Sequence, residues 1–174
     1  MSRILLADDS PHAQRMGERI LREEGFEVVS LTDGDTVLAR LQDVDPDVLI
    51  VDAFLPGKSG LELCRYIKSH PLHPHMRVVL TAGLLEQLNE EDARLAGADA
   101  TIKKPFESSI VLSTLHPLLR EAQTARALLA PKVEGLAAAP DPEQVRAAVT
   151  LALDAAMPAL IQEITQRVLI ALRN

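Results

Sequence analysis

The chain has 174 residues, about half of them apolar and a quarter charged, which is an ordinary composition for a globular protein. This length allows one domain with a full core and a small additional segment. The net charge of −7 argues against direct nucleic-acid binding, and the apolar runs are too short for membrane insertion. Cys64 is the only cysteine, so we expect no intramolecular disulfide, a small buried thiol and a reducing, cytoplasmic location.

Short apolar runs alternate with helical patterns over residues 3 to about 121. Five of these runs are predicted strands, at residues 4–7, 27–30, 48–51, 77–80 and 100–102. The segments between them carry apolar residues at steps of three and four, which is typical of amphipathic helices. Parallel strands need helical crossovers, so the pattern predicts an α/β fold: a doubly wound, five-stranded parallel sheet with five helices on its two faces.

Local signals mark several of the predicted helix boundaries. Ser10 before Pro11 is typical of an N-cap followed by proline in the first helical turn. Gly25 follows the acidic end of that helix, where a left-handed cap favours glycine. Ser59 is expected to cap the helix that begins at Gly60.

Polar residues stand at the carboxyl ends of four predicted strands, where a doubly wound fold forms its ligand sites. They are Asp8 and Asp9 after the first strand, Asp52 at the third, Thr81 at the fourth, and Lys103, Lys104 and Pro105 after the fifth. Three carboxylates at one edge repel each other unless a cation offsets their charge, and ligation by oxygen alone suits Mg²⁺. A solvated acidic surface is the alternative, which the position of all three after apolar strands disfavours.

Four segments, LLADDS, VDAFLPGKSGLEL, LTA and ADATIKKPF, stand in an order and at distances that resemble the receiver domain of response regulators. The resemblance covers about residues 2–121 and implies a flavodoxin-like strand order, 2-1-3-4-5. It further implies that Asp52 is the phosphoacceptor and that Asp9 binds Mg²⁺ directly. Asp8 would act mainly through water, Asp52 would contribute to the metal site, and the backbone carbonyl of Phe54 would complete the protein ligands.

The resemblance also assigns roles around the acceptor. Lys104 matches the family's lysine, with Lys103 as the less favoured candidate, and Pro105 is expected to fix the turn that aims it through a cis bond. Thr81 matches the hydroxyl that binds a phosphoryl oxygen, and its place in the LTA segment favours this role over that of a β-branched residue that only closes a strand. An ionised Asp52 needs no general base. We therefore expect a phosphoacceptor with self-catalysed phosphotransfer and slow autodephosphorylation, and not an enzyme.

Thr101 departs from the family pattern. Three residues before its lysine, the family usually places Tyr or Phe, which moves inward together with the hydroxyl. The chemistry of phosphorylation does not require that ring, but its usual readout does. Either the switch works through backbone and loop shifts, or the signal leaves through another surface.

The segment after residue 121 differs in character. Residues 122–142 are rich in alanine and proline and are predicted to be a linker, part of which can extend the fifth helix. Residues 143–174 carry an amphipathic helical pattern that Pro158 interrupts. We rank homodimer formation and docking on a partner equally for this extension, ahead of folding back on the domain.

The leading hypothesis is a two-component response regulator that receives its phosphoryl group from a histidine kinase or histidine phosphotransfer protein. The tail has no basic recognition helix, so output through a downstream protein partner is expected rather than DNA binding. A haloacid-dehalogenase-type phosphatase fits poorly, because Ser10 and Pro11 stand where that family needs an acid. A phosphorylation-independent adaptor that acts through its C-terminal helix is the remaining alternative.

Overall fold

The computed structural model describes residues 2–129, in which five strands alternate with five helices. In chain order the elements are β1 (Arg3–Ala7), α1 (Pro11–Glu23), β2 (Glu27–Leu31), α2 (Gly34–Val44), β3 (Val48–Asp52), α3 (Gly60–Ser69), β4 (Arg77–Ala82), α4 (Glu90–Ala96), β5 (Ala100–Lys103) and α5 (Ser108–Leu129). Among these residues, every helix is too short or too polar to cross a membrane.

The strands form one parallel sheet in the order β2-β1-β3-β4-β5, which confirms the predicted flavodoxin-like fold. Each strand is one or two residues longer than the sequence pattern predicts. The longer pairing brings four polar residues into the sheet: Arg3, Asp52, Thr81 and Lys103. Of these, Asp52, the last residue of β3, pairs with Thr81 of β4. Polar residues at these positions hide the true strand ends from a pattern based on apolar runs.

Two buried clusters cover the two faces of the sheet. Side chains alternate along β1, so Leu5 packs with α2, α3 and α4, whereas Leu6 packs with α1 and α5. Cys64 belongs to the first cluster, as predicted, and its thiol donates to the Ala96 carbonyl at 3.2 Å. Burial raises the pKa of the Cys64 thiol to about 11, which makes it an unreactive core residue.

The predicted helix caps are present. Ser10 accepts from the Ala13 amide at 3.4 Å, and Gly25 has a φ of 87°. Ser59 forms a capping box with Glu62, in which each side chain accepts from the other residue's backbone amide. The caps at Ser10 and Ser59 fix where α1 and α3 begin, directly beside the carboxyl edge of the sheet.

Helix α5 continues to Leu129, well past the predicted end of the domain at residue 121. Residues 122–129 are therefore helical, which agrees with the expectation that part of the 122–142 segment extends the fifth helix. Arg126 holds the last turns of α5: its guanidinium donates to Asp47 at 3.1 Å, to the backbone carbonyl of Asp45 at 2.9 Å and to the Asp45 side chain. The rest of the predicted linker and the extension at 143–174 lie outside the described residues.

Candidate functional site

The three acidic residues singled out from the sequence meet at the carboxyl edge of the sheet. Asp8 and Asp9 follow β1, and Asp52 ends the neighbouring strand β3. One side-chain oxygen from each lies within 4.8 Å of those of the other two. Asp8 is 1% exposed and Asp52 is 2% exposed, whereas Asp9 is open to solvent. The site is thus a pocket with two buried carboxylates and one at its mouth.

Lys104 brings a positive charge to this pocket from beyond β5. Its ammonium group donates to Asp8 at 3.2 Å and also to Asp52. The peptide bond between Lys104 and Pro105 is cis, as expected. Lys103 is exposed, so of the two candidate lysines the structure brings only Lys104 to the carboxylates.

Burial and charge act against each other on the groups of the pocket. Burial raises the pKa of the Asp8 carboxyl, and the Ser10 amide and Lys104 offset only part of that effect. Burial alone would lower the pKa of Lys104, but its hydrogen bond to Asp52 and the charges of Asp52 and Asp8 raise it overall. Lys104 therefore remains an ammonium ion at neutral pH.

The donor set fits a small, hard cation. One ammonium group pairs with two of the three carboxylates, Asp8 and Asp52, so the cluster of three keeps an excess of negative charge. The second oxygens of the two buried carboxylates accept backbone amides, Asp8 from Ser10 at 2.9 Å and Asp52 from Phe54 at 2.8 Å. These bonds hold both carboxylates in place. Preorganised oxygen ligands with excess negative charge are typical of a Mg²⁺ site.

Thr81 lies beside the acceptor candidate. It is 1% exposed and pairs with Asp52 across β3 and β4. Its carbonyl accepts the Ala53 amide at 2.8 Å, which continues the sheet bonding by one step past Asp52. The structure therefore brings Thr81 to the pocket together with the carboxylates and Lys104.

The loop at residues 53–59 runs from Asp52 to α3 and carries Phe54, the expected backbone ligand. Leu55 is buried and anchors this metal-side loop in the core. The start of α2 touches the same loop, because the Gly34 amide donates to the Pro56 carbonyl at 2.9 Å. Sequence reasoning missed Gly34. The only signal was an Asp-Gly pair at a helix start, which ordinary capping explains equally well.

Thr101 lies outside the acidic pocket. It is exposed on β5 and lines a surface hollow of about 320 Å³ together with residues of the β4–α4 loop, among them Gly83 and Glu86. The position that the family usually fills with an aromatic ring therefore borders open space.

Comparison with known proteins places these features in a family. The model of the response regulator receiver domain matches residues 4–116. The chain is 35% identical over 103 residues to the phosphate regulon transcriptional regulatory protein PhoB of Rhizobium meliloti, covering 59% of this chain and 45% of PhoB. It is 26% identical over 113 residues to protein PilG of Pseudomonas aeruginosa, covering 65% of this chain and 84% of PilG.

A solved structure agrees with these matches. The response regulator receiver domain protein (CheY-like) of Methanospirillum hungatei superposes with a TM-score of 0.63 at 30% identity, covering 71% of this chain and 98% of that one. The chain spans only about half the length of the first curated relatives that it matches. Receiver domains are phosphoacceptors of two-component signalling rather than enzymes in the usual sense. With the family model covering most of the chain, and the acidic pocket formed by Asp8, Asp9 and Asp52, the protein belongs to the response regulator receiver domain family.

Proposed function

We propose that this chain accepts a phosphoryl group on Asp52 from a histidine kinase or a histidine phosphotransfer protein, in a Mg²⁺-dependent reaction. The observation that carries the proposal is the buried Asp52 carboxylate, with Lys104 bonded to it and two further carboxylates within 4.8 Å. Asp8, Asp9, Asp52 and the backbone carbonyl of Phe54 are the proposed ligands of the metal ion.

Each residue has a distinct part in the proposed transfer. A carboxylate oxygen of Asp52 attacks phosphorus while the bond from phosphorus to the donor's imidazole nitrogen breaks, and the bonding electrons leave with that nitrogen. The Lys104 ammonium offsets negative charge on the phosphoryl oxygens, and the Thr81 hydroxyl donates to one of them. Bound Mg²⁺ supplies the further positive charge that three carboxylates and a phosphoryl group require.

We propose that the output is a contact with a downstream protein. The net charge of −7 favours protein contact over direct DNA binding by the given residues. The matched relatives include a transcriptional regulatory protein and PilG, so the family alone does not decide the output. A cytoplasmic location and a homodimer or partner contact through residues 143–174 complete the proposal.

The test is to incubate the protein with acetyl phosphate and Mg²⁺ and to measure its mass. The wild type should gain one phosphoryl group and Asp52→Ala should gain none, while Asp43→Ala, an exposed acid on α2, should behave as the wild type does. If the wild type gains no mass while a known receiver domain does in parallel, the proposal fails. A phosphorylation-independent adaptor would then be the better explanation.

A further inference from the structure

Helix α2 begins in direct contact with the metal-side loop. Gly34 is the first residue of α2 and is buried, with Asp33 as its N-cap. The Asp33 side chain accepts from the Thr36 amide at 2.8 Å, which fixes the first turn of the helix. From this fixed turn, the Gly34 amide donates to the Pro56 carbonyl at 2.9 Å. The start of α2 and the loop that follows Asp52 are thus joined through backbone atoms.

The approach at Gly34 leaves no room for any side chain. A Cβ atom there would lie 1.8 Å from the Lys58 carbonyl oxygen, 2.6 Å from its carbon and 2.8 Å from its Cα. All three are backbone atoms, so no change of rotamer relieves the overlap. The loop or the helix start has to move if Gly34 is replaced.

A second close approach joins the same two segments. Gly57 has a φ of 74°, and a Cβ there would lie 2.4 Å from a carboxylate oxygen of Asp35. The middle of the metal-side loop therefore follows the surface of the first turn of α2. Two close approaches to the start of α2, one at Gly34 and one at Gly57, fix the path of this loop. Residues 56–58 of the loop are otherwise exposed.

The metal-side loop has few other sources of order. Its first part is tied to the pocket, because Phe54 donates to Asp52 at 2.8 Å and Leu55 is buried. Its last part enters α3, where the Gly60 amide donates to the Ala53 carbonyl at 3.2 Å. Contact with α2 holds the span between these ends. Pro56 and Lys58 lie two and four residues after Phe54, so a shift of that span would be transmitted to the Phe54 backbone over this short distance.

We propose that Gly34 is a positioning residue for the metal site: the side-chain-free start of α2 packs on the backbone of Pro56 and Lys58 and thereby sets the Phe54 backbone at the acidic pocket. The inference rests on the proposed function, since Phe54 is a ligand only if the site binds Mg²⁺. It adds a residue on a different element, in contact with none of the three carboxylates. Any larger residue at position 34 weakens Mg²⁺ binding through the loop.

The first test compares Mg²⁺ affinity by calorimetry in Gly34→Ala, Gly25→Ala and Asp9→Asn. Gly25 is the matched control: its φ is 87°, so alanine there lowers stability through strain, but a Cβ meets no atom within 4 Å. Gly34→Ala should bind Mg²⁺ about tenfold more weakly, a usual size for coupling between neighbouring sites. Gly25→Ala should bind Mg²⁺ with wild-type affinity even if its thermal midpoint falls by as much as that of Gly34→Ala.

The controls separate the two proposals. If Asp9→Asn loses Mg²⁺ binding while a folded Gly34→Ala retains wild-type affinity, the role of Gly34 is overturned and the proposed function stands. If the wild type binds no Mg²⁺, or Asp9→Asn binds it equally well, the proposed metal site fails and the role of Gly34 fails with it.

A measurement on the wild type covers the case in which Gly34→Ala does not fold. Binding and loop order are reciprocally linked, so Mg²⁺ should slow hydrogen exchange of the Gly34 amide, which donates to Pro56, by about tenfold. Amides on the opposite edge of the sheet, such as that of Phe26, should keep their rates. An unchanged Gly34 rate under saturating Mg²⁺ would overturn the inference.

Discussion

Asp52 and Thr81 are register partners on neighbouring parallel strands, and both are almost completely buried at the carboxyl edge of the sheet. Paired residues of adjacent strands point to the same face, so the Thr81 hydroxyl and the Asp52 carboxylate belong to one pocket. A phosphoryl group on Asp52 would meet Thr81 without any change in strand pairing.

Thr81→Ala should slow phosphoryl uptake from acetyl phosphate by about tenfold, because one hydrogen bond to the transferred group is lost. Thr81→Ser keeps the hydroxyl and should retain most of the rate. Mass spectrometry over a time course measures both variants. Equal rates of uptake for Thr81→Ala and the wild type would mean that Thr81 has only a structural role in its strand.

Lys104→Met should affect metal binding and phosphorylation in opposite directions. The ammonium group of Lys104 contacts Asp8 and Asp52, so its removal leaves these carboxylates more available to Mg²⁺, and metal affinity should rise. Phosphoryl uptake should fall by about tenfold or more, since the transferred oxygens lose a charged partner. Calorimetry and mass spectrometry provide the two measurements.

Lys103→Met is the matched control, because Lys103 is the adjacent residue and is exposed. The Mg²⁺ affinity and the rate of phosphoryl uptake of Lys103→Met should both stay close to those of the wild type. A loss of uptake in Lys103→Met with a normal Lys104→Met would reverse the assignment of the two lysines.

Thr101→Tyr should leave the rate of phosphoryl uptake within about twofold of the wild type, as for other surface changes. Thr101 is exposed and borders the hollow beside the β4–α4 loop rather than the acidic pocket. Thr81→Ala is the informative comparison, since the two threonines lie on adjacent strands. A tenfold change in Thr101→Tyr would mean that the hollow is coupled to the chemistry.

The stability of the domain should fall as the pH drops below about 6.5, the ordinary value for histidine. Burial lowers the pKa of His75, and Arg126, 2.9 Å from its ring nitrogen, lowers it further against the opposing effects of Asp45 and Asp47. The unfolded chain then binds a proton at a higher pH than the folded one. The contribution of His75 to the free energy of unfolding is therefore fully present above the ordinary pKa of histidine. It is lost as the pH falls toward the lower pKa of the folded state.

Urea unfolding at a series of pH values measures this dependence, and His75→Gln should flatten it. Burial also lowers the pKa of His73, so part of the slope should remain in that variant. His12→Gln, at an exposed position of α1, should leave the slope unchanged. The same slope in His75→Gln as in the wild type would contradict the expectation.

Arg126→Gln should lower the free energy of unfolding by about 1–2 kcal/mol, a value reduced for the partial exposure of the guanidinium. Its bonds to Asp45 and Asp47 tie the end of α5 to the start of β3. Hydrogen exchange should therefore quicken in the last two turns of α5. Arg120→Gln, exposed on the same helix, should change neither quantity.

The fold was largely predictable because apolar and helical patterns are local in sequence. The pocket was predictable because residues that follow parallel strands meet at one edge of the sheet. Apolar runs gave the five strands, and the order of acid, hydroxyl and lysine along the chain gave the pocket. The ends of the strands were not predictable in this way. Asp52 and Thr81 continue the sheet although they are polar, because the backbone pairing of β3 with β4 does not require an apolar side chain.

Contacts distant in sequence were missed for a different reason. Nothing near Gly34 indicates that Lys58 will lie against it, and nothing near Arg126 indicates Asp47. Such pairs are defined only once the sheet order brings the loops together. The sequence allowed α5 to extend past residue 121 but did not show how far, because the contacts that Arg126 makes near its end are distant in sequence.

The burial of Asp52 restricts the donors that can reach it. With 2% of its surface exposed, the Asp52 carboxylate offers little surface to a donor, and the exposed Asp9 stands beside it. The exposed Asp9 carboxylate repels a donor that brings several extra negative charges. A phosphorylated imidazole or acetyl phosphate brings less negative charge to the pocket than a nucleoside triphosphate does, which is consistent with the proposed transfer from a histidine donor.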